Sequence, residues 1–272
     1  MYKIKLGEDC MFNTIKIYFL LFLIYSFLGW CMEVCVSIAE RKRFVNRGFL
    51  LGPYCPIYGS GAILITLLLS AFKNKPVLLF FMAILVCGVL EYLTSYFMEK
   101  LFRLRWWDYS KKKYNINGRV CLDTIIPFGI LGMLIMYVTN PFLLEKINMM
   151  PSNVLSIIFY VVLVIYIVDN IISLTTILGI RNTTTKVNKE NREDNTEEIT
   201  KKVREILRGK SFVQRRLLNA YPKLQAIKIK VKEKIEQTKE DIEKQKEILD
   251  RKVDKAKEDL NKKIKNKDRK KE

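Results

Sequence analysis

Long apolar stretches restrict the fold of this chain more than any other feature of its sequence. A helix needs about 20 apolar residues to cross the hydrocarbon core of a bilayer, where every backbone N–H and C=O group must be paired within the protein. The sequence therefore predicts an all-α integral membrane protein with about five transmembrane helices. The stretches that reach or approach this length are Phe12 to Ile38, Pro56 to Phe72, Pro76 to Phe97, Val120 to Leu144 and Asn153 to Ile180.

Charge is distributed unevenly along the 272 residues, half of which are hydrophobic although the net charge is +19. Both values fit one chain only if apolar and charged segments are separate, and the charged side chains concentrate after residue 180. We therefore predict a polytopic transmembrane domain at residues 1–180 and a cytoplasmic linker with a basic amphipathic segment at residues 181–222. A charged helical or coiled-coil tail is predicted at residues 223–272.

The connections between the apolar stretches differ in their content of Lys and Arg. The first, residues 41–55, has four basic residues and the third, residues 100–119, has seven, whereas the second has two and the fourth has one. Basic connections stay in the cytoplasm. We therefore predict a cell-membrane protein with its N-terminus outside and its C-terminal tail in the cytoplasm. A re-entrant second stretch would put the third connection outside, which this rule disfavours.

The first basic connection leads into a segment of unusual composition. From Arg41 to Gly61 it combines a basic cluster, several glycines and two prolines, so we expect one defined conformation at the membrane surface. We name residues 41–61 the junction and expect the functional part of the protein beside it. The residues of the junction motif are Asn46, Arg47, Gly48, Gly52, Pro53, Pro56, Tyr58, Gly59 and Gly61.

Four acidic side chains lie inside or at the border of the predicted spans, on the cytoplasmic side in the predicted orientation. An acidic residue at the bilayer centre costs about 2.5 to 3.5 kcal/mol on insertion, so it usually faces the bundle interior. One hypothesis is a hydrated polar chamber that forms a substrate or ion pathway, with Arg47 as the main counter-ion. The alternative is a set of structural ion pairs that fix the helices in register. The acidic residues are Glu33, Glu91, Asp169 and Asp123, and the further counter-ions are Arg105 and Arg119.

The third connection carries an aromatic patch, Trp106 to Tyr109, and a polar stretch that includes Asn117 and Arg119. Tryptophan is common at membrane interfaces, so the patch favours interfacial anchoring. The alternative is that Trp106, Asp108, Asn117 and Arg119 line a cytoplasmic mouth of the chamber.

The titratable residues of the chain argue against several kinds of site. There is no histidine, and the six cysteines have neither the spacing of a disulfide framework nor that of a zinc site, so we expect no metal and no cofactor. Gly209-Lys210-Ser211 resembles the end of a phosphate-binding loop, but Arg204 stands in place of the first glycine. We therefore expect no nucleotide binding by this chain, and no nucleic acid as partner.

The charged tail has a period of eleven residues, which equals three turns of a helix. Val231, Ile242, Val253 and Ile264 follow this period and would form one narrow stripe on a long helix. We favour a cytoplasmic helix with coiled-coil tendency over a disordered polyampholyte. Such a stripe allows a homo-oligomer or the recruitment of another protein. The basic segment before it suits contact with membrane lipid and docking on the cytoplasmic loops equally well.

Several short motifs together resemble one bacterial membrane family. The motifs are Gly29-Trp30 with Glu33, Asn46-Arg47-Gly48 with Gly52-Pro53, Pro56 to Gly61, Leu90-Glu91-Tyr92, Trp106 with Asp108-Tyr109, and Asn117-Gly118 with Cys121. Over about residues 12–180 they resemble the family described as Putative ABC-transporter type IV, the CmpB-like family. The resemblance implies a permease-like subunit, without a defined substrate or catalytic residue. A separate nucleotide-binding ATPase subunit would then be its partner, because the chain lacks a phosphate-binding loop.

Three functions from different classes follow from these observations. The first is a membrane subunit of a transport system whose polar site, in the cytoplasmic half, contains Glu33, Glu91 and Asp169. The second is a non-transporting membrane scaffold that recruits partners through its coiled-coil tail. The third, an intramembrane enzyme that uses the carboxylates as acid and base, is the least favoured, and we expect the chain not to be an enzyme.

Overall fold

The fold was obtained as a computed structural model that describes residues 2–190, 196–209, 212–221 and 224–226. The helices are α1 (Tyr2–Arg41), α2 (Pro56–Leu69), α3 (Pro76–Phe102), α4 (Leu122–Leu134), α5 (Asn140–Asn148), α6 (Ser152–Glu190), α7 (Thr196–Arg208) and α8 (Phe212–Ala220). A 3-10 turn (Ser70–Phe72) extends α2, and a π-helical turn (Ile135–Thr139) joins α4 to α5. Strand β1 (Leu104–Arg105) pairs antiparallel with β4 (Gln225–Ala226), and β2 (Asn115–Ile116) pairs antiparallel with β3 (Val120–Cys121).

Among the described residues, four helical segments are long and apolar enough to cross a membrane: Met11–Glu40, Pro76–Phe102, Leu122–Asn148 and Ser152–Val187. The prediction of a mostly helical membrane protein is thus confirmed. The remaining predicted span is a shorter apolar helix, Pro56–Phe72. At about 1.5 Å per residue it is about 25 Å long, a few Å less than a hydrocarbon core of about 30 Å.

Small residues let α1 and α2 approach each other closely. A Cβ atom at Gly59 of α2 would clash with the backbone carbonyl oxygen of Phe22 and with the hydroxyl of Ser26, both in α1. A Cβ atom at Gly29 of α1 would likewise run into the ring of Tyr58. The crossing of the two helices therefore fixes where Tyr58 lies.

Gly59→Ala is expected to destabilise the protein by about 1 to 3 kcal/mol, the usual cost of an extra methyl group in a closely packed interface. Gly61 provides the matched control, because a Cβ atom there would lie 3.6 Å from the sulfur of Cys87, which is an ordinary contact. Gly61→Ala should be neutral or slightly stabilising, since alanine favours a helix over glycine by up to about 1 kcal/mol. Thermal unfolding in detergent measures the difference. Equal melting temperatures for the two variants would contradict a close crossing at Gly59.

Helices α3 and α4 form a second close pair. A Cβ atom at Gly132 of α4 would meet the methyl group of Ala83, and one at Gly129 would meet the ring of Phe80. The fold thus contains two helical hairpins, α1–α2 and α3–α4. Their connecting segments lie at the same end of the helices, because the ring centroids of Phe49 and Trp106 are 5.4 Å apart.

Helix α6 continues well beyond the predicted end of the last span. The helix reaches Glu190, so the first part of the linker predicted from residue 181 is helical. Thr183, Thr184 and Val187 are buried, because this end of α6 packs against α7 and α8. Threonine occupies buried positions at this end of α6. Aliphatic residues at these positions would have extended the apolar pattern and predicted a longer helix.

A hydrophobic core forms where the ends of α3 and α6 meet α7 and α8, and we name it the end core. Strand β4 joins it by pairing with β1, which directly follows α3. The end core and the membrane helices belong to one compact unit, Met1–Ile227. The predicted coiled-coil stripe from Val231 to Ile264 lies outside the described residues. The buried residues of the end core are Phe102, Leu104, Trp106, Ile177, Ile180, Val187, Val203, Leu207, Leu217, Leu218, Leu224 and Ala226.

Candidate functional site

The middle of the junction, residues 46–54, is a loop organised by the side chain of Asn46, and we name it the junction loop. Oδ1 of Asn46 accepts hydrogen bonds from the backbone N–H of Gly48 at 3.1 Å and from Nε1 of Trp30 at 2.8 Å. Its Nδ2 donates to the carbonyl oxygen of Leu51 at 3.1 Å. The asparagine side chain therefore pairs backbone groups that regular secondary structure would otherwise pair, and Trp30 ties the loop to α1.

Asp169 of α6 binds the next part of the junction loop. Its carboxylate accepts hydrogen bonds from the backbone N–H of Leu51 at 2.8 Å and of Gly52 at 2.7 Å. The hydroxyls of Tyr54 and Ser173 donate to it at 2.5 and 2.9 Å. Burial and the nearby carboxylate raise the pKa of the Tyr54 hydroxyl, so it remains a donor at neutral pH. Four donors thus satisfy this buried carboxylate.

The end of the junction is fixed by both helices of the first hairpin. Pro56 lies in the first turn of α2, where the missing N–H of proline costs nothing. The N–H of Cys55 donates to the carbonyl oxygen of Ser26 in α1 at 2.8 Å. Gly52 leaves no room for a Cβ atom, because the ring of Tyr54 packs against it.

Arg216 of α8 binds the junction loop from another side. Its guanidinium donates to the carbonyl oxygens of residues 48–51, at 2.6 Å to Gly48 and Leu50 and at 3.3 to 3.4 Å to the other two. Burial lowers the pKa of Arg216, but an arginine stays positively charged at neutral pH. Asp169 therefore holds N–H groups of the loop, while Arg216 holds its carbonyl groups.

Glu33 of α1 contacts one residue of α2 and one of the junction loop. The hydroxyl of Tyr58 donates to its Oε1 at 2.7 Å. Nη1 of Arg47 lies 3.4 Å from its Oε2, whereas Nη2 of Arg47 lies 2.8 Å from Glu40. The structure thus places Arg47, the predicted counter-ion, beside Glu33, but Arg47 also pairs with the carboxylate of Glu40.

Glu91 lies on a face of α3 that is buried at every fourth position, formed by Leu79, Ala83, Cys87, Glu91 and Ser95. Residues four apart share one face of a helix. Glu91 is only 7% exposed, and its Oε1 accepts a hydrogen bond from the hydroxyl of Tyr109 at 3.5 Å. Its Oε2 has no hydrogen-bond partner among the described residues.

Electrostatic effects on neighbouring groups show that the two glutamates lie in one region. Burial raises the pKa of the Tyr109 hydroxyl, and the charges of Glu91 and Glu33 raise it further. Burial also raises the pKa of the Cys55 thiol, to about 12, with a further contribution from Glu33. Both groups are therefore neutral at physiological pH. We name Glu33, Tyr58, Glu91 and Tyr109 the carboxylate cluster.

The structure does not bring the other two predicted acids into the carboxylate cluster. The side chain of Asp123 is 71% exposed and lies 3.7 Å from Nζ of Lys112. It stands in the first turn of α4, where solvent and the helix dipole favour a carboxylate. Asp169 is buried, but the hydrogen bonds described above go to the junction loop and to its own helix. The apolar sequence around an acidic residue indicates its depth in the membrane but not the direction of its side chain. The sequence analysis therefore assigned all four acids to one site.

The two further predicted counter-ions, Arg105 and Arg119, pair with Glu99 near the end of α3, at 3.0 and 2.9 Å. Nη1 of Arg119 also donates to the hydroxyl of Ser95 at 3.4 Å. The sequence analysis missed Glu99, although it follows Glu91 by two steps of the same four-residue spacing.

Trp106 lies inside the protein. It is 3% exposed, and its ring packs against Phe49 and Tyr221 with centroids 5.4 and 4.8 Å away. The prediction of interfacial anchoring is therefore wrong for Trp106, because the end core covers it.

The polar residues of the third connection build its turns. Oδ1 of Asp108 accepts a hydrogen bond from the N–H of Ser110 at 3.1 Å. Asn117 and Gly118 both have positive φ, 53° and 66°, as a tight hairpin turn between β2 and β3 requires. Asp108 and Asn117 thus shape the connection that carries Tyr109 to the carboxylate cluster.

The four long apolar helical segments of the described residues place the chain among integral membrane proteins with several spans. The family described as Putative ABC-transporter type IV matches residues 20–174, more than half of the chain. The chain belongs to this family, as its motifs predict. The match includes the junction, Glu33, Glu91 and Asp169, and it ends before α7. No curated protein and no solved structure matches the chain.

The chemistry open to the carboxylate cluster is that of anionic oxygens and phenolic hydroxyls. Such groups bind a proton or another cation. Within the part of the chain that the structure describes, no set of three or more His, Cys, Asp or Glu side chains could hold a metal ion. Two apolar grooves, one between α1 and α2 and one between α1, α5 and α6, are lined by other residues.

Proposed function

We propose that this chain is the membrane, permease-like subunit of an ABC-type transport system, and that the carboxylate cluster is the polar site of its pathway. The observation that supports this most is that Glu33 of α1 and Glu91 of α3 each accept a hydrogen bond from a tyrosine hydroxyl, in a chain of this family. Acidic residues of membrane spans that face the bundle interior commonly mark substrate or ion pathways. Asp169 serves the same site indirectly, because it fixes the junction loop.

The proposed topology has five spans, with the N-terminus outside and the tail in the cytoplasm. In this topology α2 crosses the membrane despite its length. The contact between Phe49 and Trp106 supports it, because a re-entrant α2 would put the first and third connections on opposite sides of the membrane. The Lys and Arg residues of both connections then face the cytoplasm, as does the end core.

The proposed partner is a separate nucleotide-binding ATPase subunit. These 272 residues contain no phosphate-binding loop, so ATP hydrolysis would require another chain. The exposed basic segment of the third connection, Lys111 to Lys113 with Tyr114, is the proposed docking surface. Membrane lipid surrounds the spans.

One observation favours a second function, a scaffold that recruits partners or a second copy of the chain through its tail. Strand β4, at the start of the predicted tail, pairs with β1, and Arg216 of the preceding helix binds the junction loop. The start of the tail is therefore joined to the membrane helices. In a scaffold of this kind the carboxylate cluster would only fix the packing of the helices.

Glu33→Gln and Glu91→Gln are expected to lower transport-coupled ATP hydrolysis about 10-fold or more, a loss of about 1.4 kcal/mol or more. A neutral amide no longer attracts a cation, while the size of the side chain is kept. The measurement begins with purification of the full-length protein in mild detergent and identification of the proteins that accompany it by mass spectrometry. The complex is then reconstituted in liposomes, and its ATP hydrolysis is compared between variants.

Glu145→Gln is the control for these variants, because it removes an exposed carboxylate of α5, outside the cluster and outside the docking surface. It should retain the activity of the unaltered protein. Reproducible absence of an ATPase, with partners that are lost when residues 227–272 are deleted, would favour the scaffold. Loss of the protein from the membrane in both glutamine variants would favour a structural role for the two acids.

A further inference from the structure

Glu91 is a buried carboxylate with too few donors. The residue is 7% exposed. Oε1 accepts one long hydrogen bond of 3.5 Å from Tyr109, and Oε2 has no partner among the described residues. Asp169 provides the contrast, since four donors within 2.9 Å satisfy its two oxygens. An ionised carboxylate in the situation of Glu91 would cost several kcal/mol, which a buried group usually avoids by becoming neutral.

The described groups that face Glu91 do not supply a positive charge. Glu33 of α1 acts on it as a like charge, and the hydroxyl of Tyr58 of α2 donates to Glu33. The connection between α3 and α4 presents Tyr109, on which Cys121 of the same connection acts. Helix α3 itself presents Cys87, four residues before Glu91 on the same buried face.

The nearby arginines have closer partners of opposite charge. Arg47 contacts Glu40 at 2.8 Å and Glu33 at 3.4 Å. Arg119 contacts Glu99 at 2.9 Å. Glu91, the second carboxylate of the cluster, therefore pairs with neither arginine.

A proton is the cation that fits this position best. A metal ion needs several ligands, and the described residues offer no set of three or more that could hold one. An organic cation needs a cavity, and neither of the two apolar grooves described above is lined by a residue of the carboxylate cluster. A proton needs one carboxylate oxygen and no additional space.

We propose that Glu91 is a proton-binding site and that the described conformation is the one with the proton bound. The proton comes from the aqueous side and joins the carboxylate to form a neutral carboxylic acid, with Oε1 left to accept the hydroxyl of Tyr109. Its release restores a negative charge beside Glu33. The geometry of Glu91 alone supports the proton-binding site. Its role in transport rests on the proposed function, in which the proton would be the cation that the pathway takes up.

Infrared difference spectroscopy of the full-length protein in lipid nanodiscs tests this site without ATP, substrate or partner. A neutral carboxylic acid has a carbonyl stretching band that moves in heavy water, and an ionised carboxylate does not have this band. The unaltered protein should show the band at neutral pH and lose it reversibly as the pH is raised. Glu91→Gln should abolish the band, whereas Asp123→Asn, which removes an exposed carboxylate outside the cluster, should retain it.

Glu91→Asp keeps the test decisive if the glutamine variant does not fold. Aspartate retains a carboxyl group at a different distance from Tyr109, so the band should shift and not vanish. Absence of the band from the unaltered protein, or an unchanged band in either Glu91 variant, would overturn the proposal. Because the experiment measures protonation only, it can succeed while transport-coupled ATP hydrolysis is absent, and the two proposals can fail separately.

Discussion

Asp169→Ala is expected to lower the free energy of unfolding by about 3 to 5 kcal/mol, the range found when one partner of a buried charged contact is removed. The substitution leaves the N–H groups of Leu51 and Gly52 and the hydroxyl of Tyr54 without their acceptor. Each buried donor without a partner costs about 1 to 3 kcal/mol. Asp169→Asn should be less severe, because one carbonyl oxygen remains as an acceptor.

Two measurements separate this effect from a general loss of stability. The first is the unfolding transition as mild detergent is replaced by a denaturing one. The second is the labelling rate of Cys55, a residue that is 7% exposed in the folded protein and whose thiol has its pKa raised to about 12 by burial. A released junction loop should expose this thiol, so labelling in mild detergent should become faster.

Asp123→Ala is the matched control for Asp169→Ala, since it removes an acidic side chain that is 71% exposed. Surface substitutions of this kind usually change stability by less than about 0.5 kcal/mol. If Asp169→Ala behaved like this control, the junction loop would not depend on α6, and the conformation of the loop would need another cause.

The helical membrane fold could be predicted because long apolar segments have few structural solutions in a bilayer. The close crossings of the hairpins were less visible, although Gly29 and Gly59 are small residues of the kind that such crossings use. The end of α6 could not be predicted from apolar pattern, because Thr183 and Thr184 occupy its buried face.

The candidate site was only partly predictable, because sequence gives the depth of a side chain and not its direction. Glu91 carried a usable signal, namely the small or polar residues Cys87 and Ser95 four positions before and after it. Asp169 carried no comparable signal for its role, since its partner Leu51 is 118 residues away in the sequence. Tyr109 belongs to an aromatic patch and to a family motif in the sequence, and neither pattern indicates that it is a partner of Glu91.

Arg216→Gln is expected to destabilise the protein by about 2 to 4 kcal/mol, because hydrogen bonds from a charged donor contribute about 1.5 to 3 kcal/mol each and are not additive. The guanidinium reaches the carbonyl oxygens of both Gly48 and Leu50 at 2.6 Å. Glutamine is shorter and uncharged, so it cannot serve both acceptors. Arg216→Lys should also be destabilising, because a single ammonium group lacks the planar fork that binds two carbonyls at once.

The neighbouring residue Arg215 is the matched control, since it is exposed on the same helix and Arg215→Gln removes the same charge. Its unfolding transition should remain close to that of the unaltered protein. Combining Arg216→Gln with Asp169→Ala should cost less than the sum of the two single changes, because both residues hold the same loop and the second change acts on a loop already released. Full additivity would mean that the two residues stabilise separate parts of the molecule, and it would contradict a loop held jointly from α6 and α8.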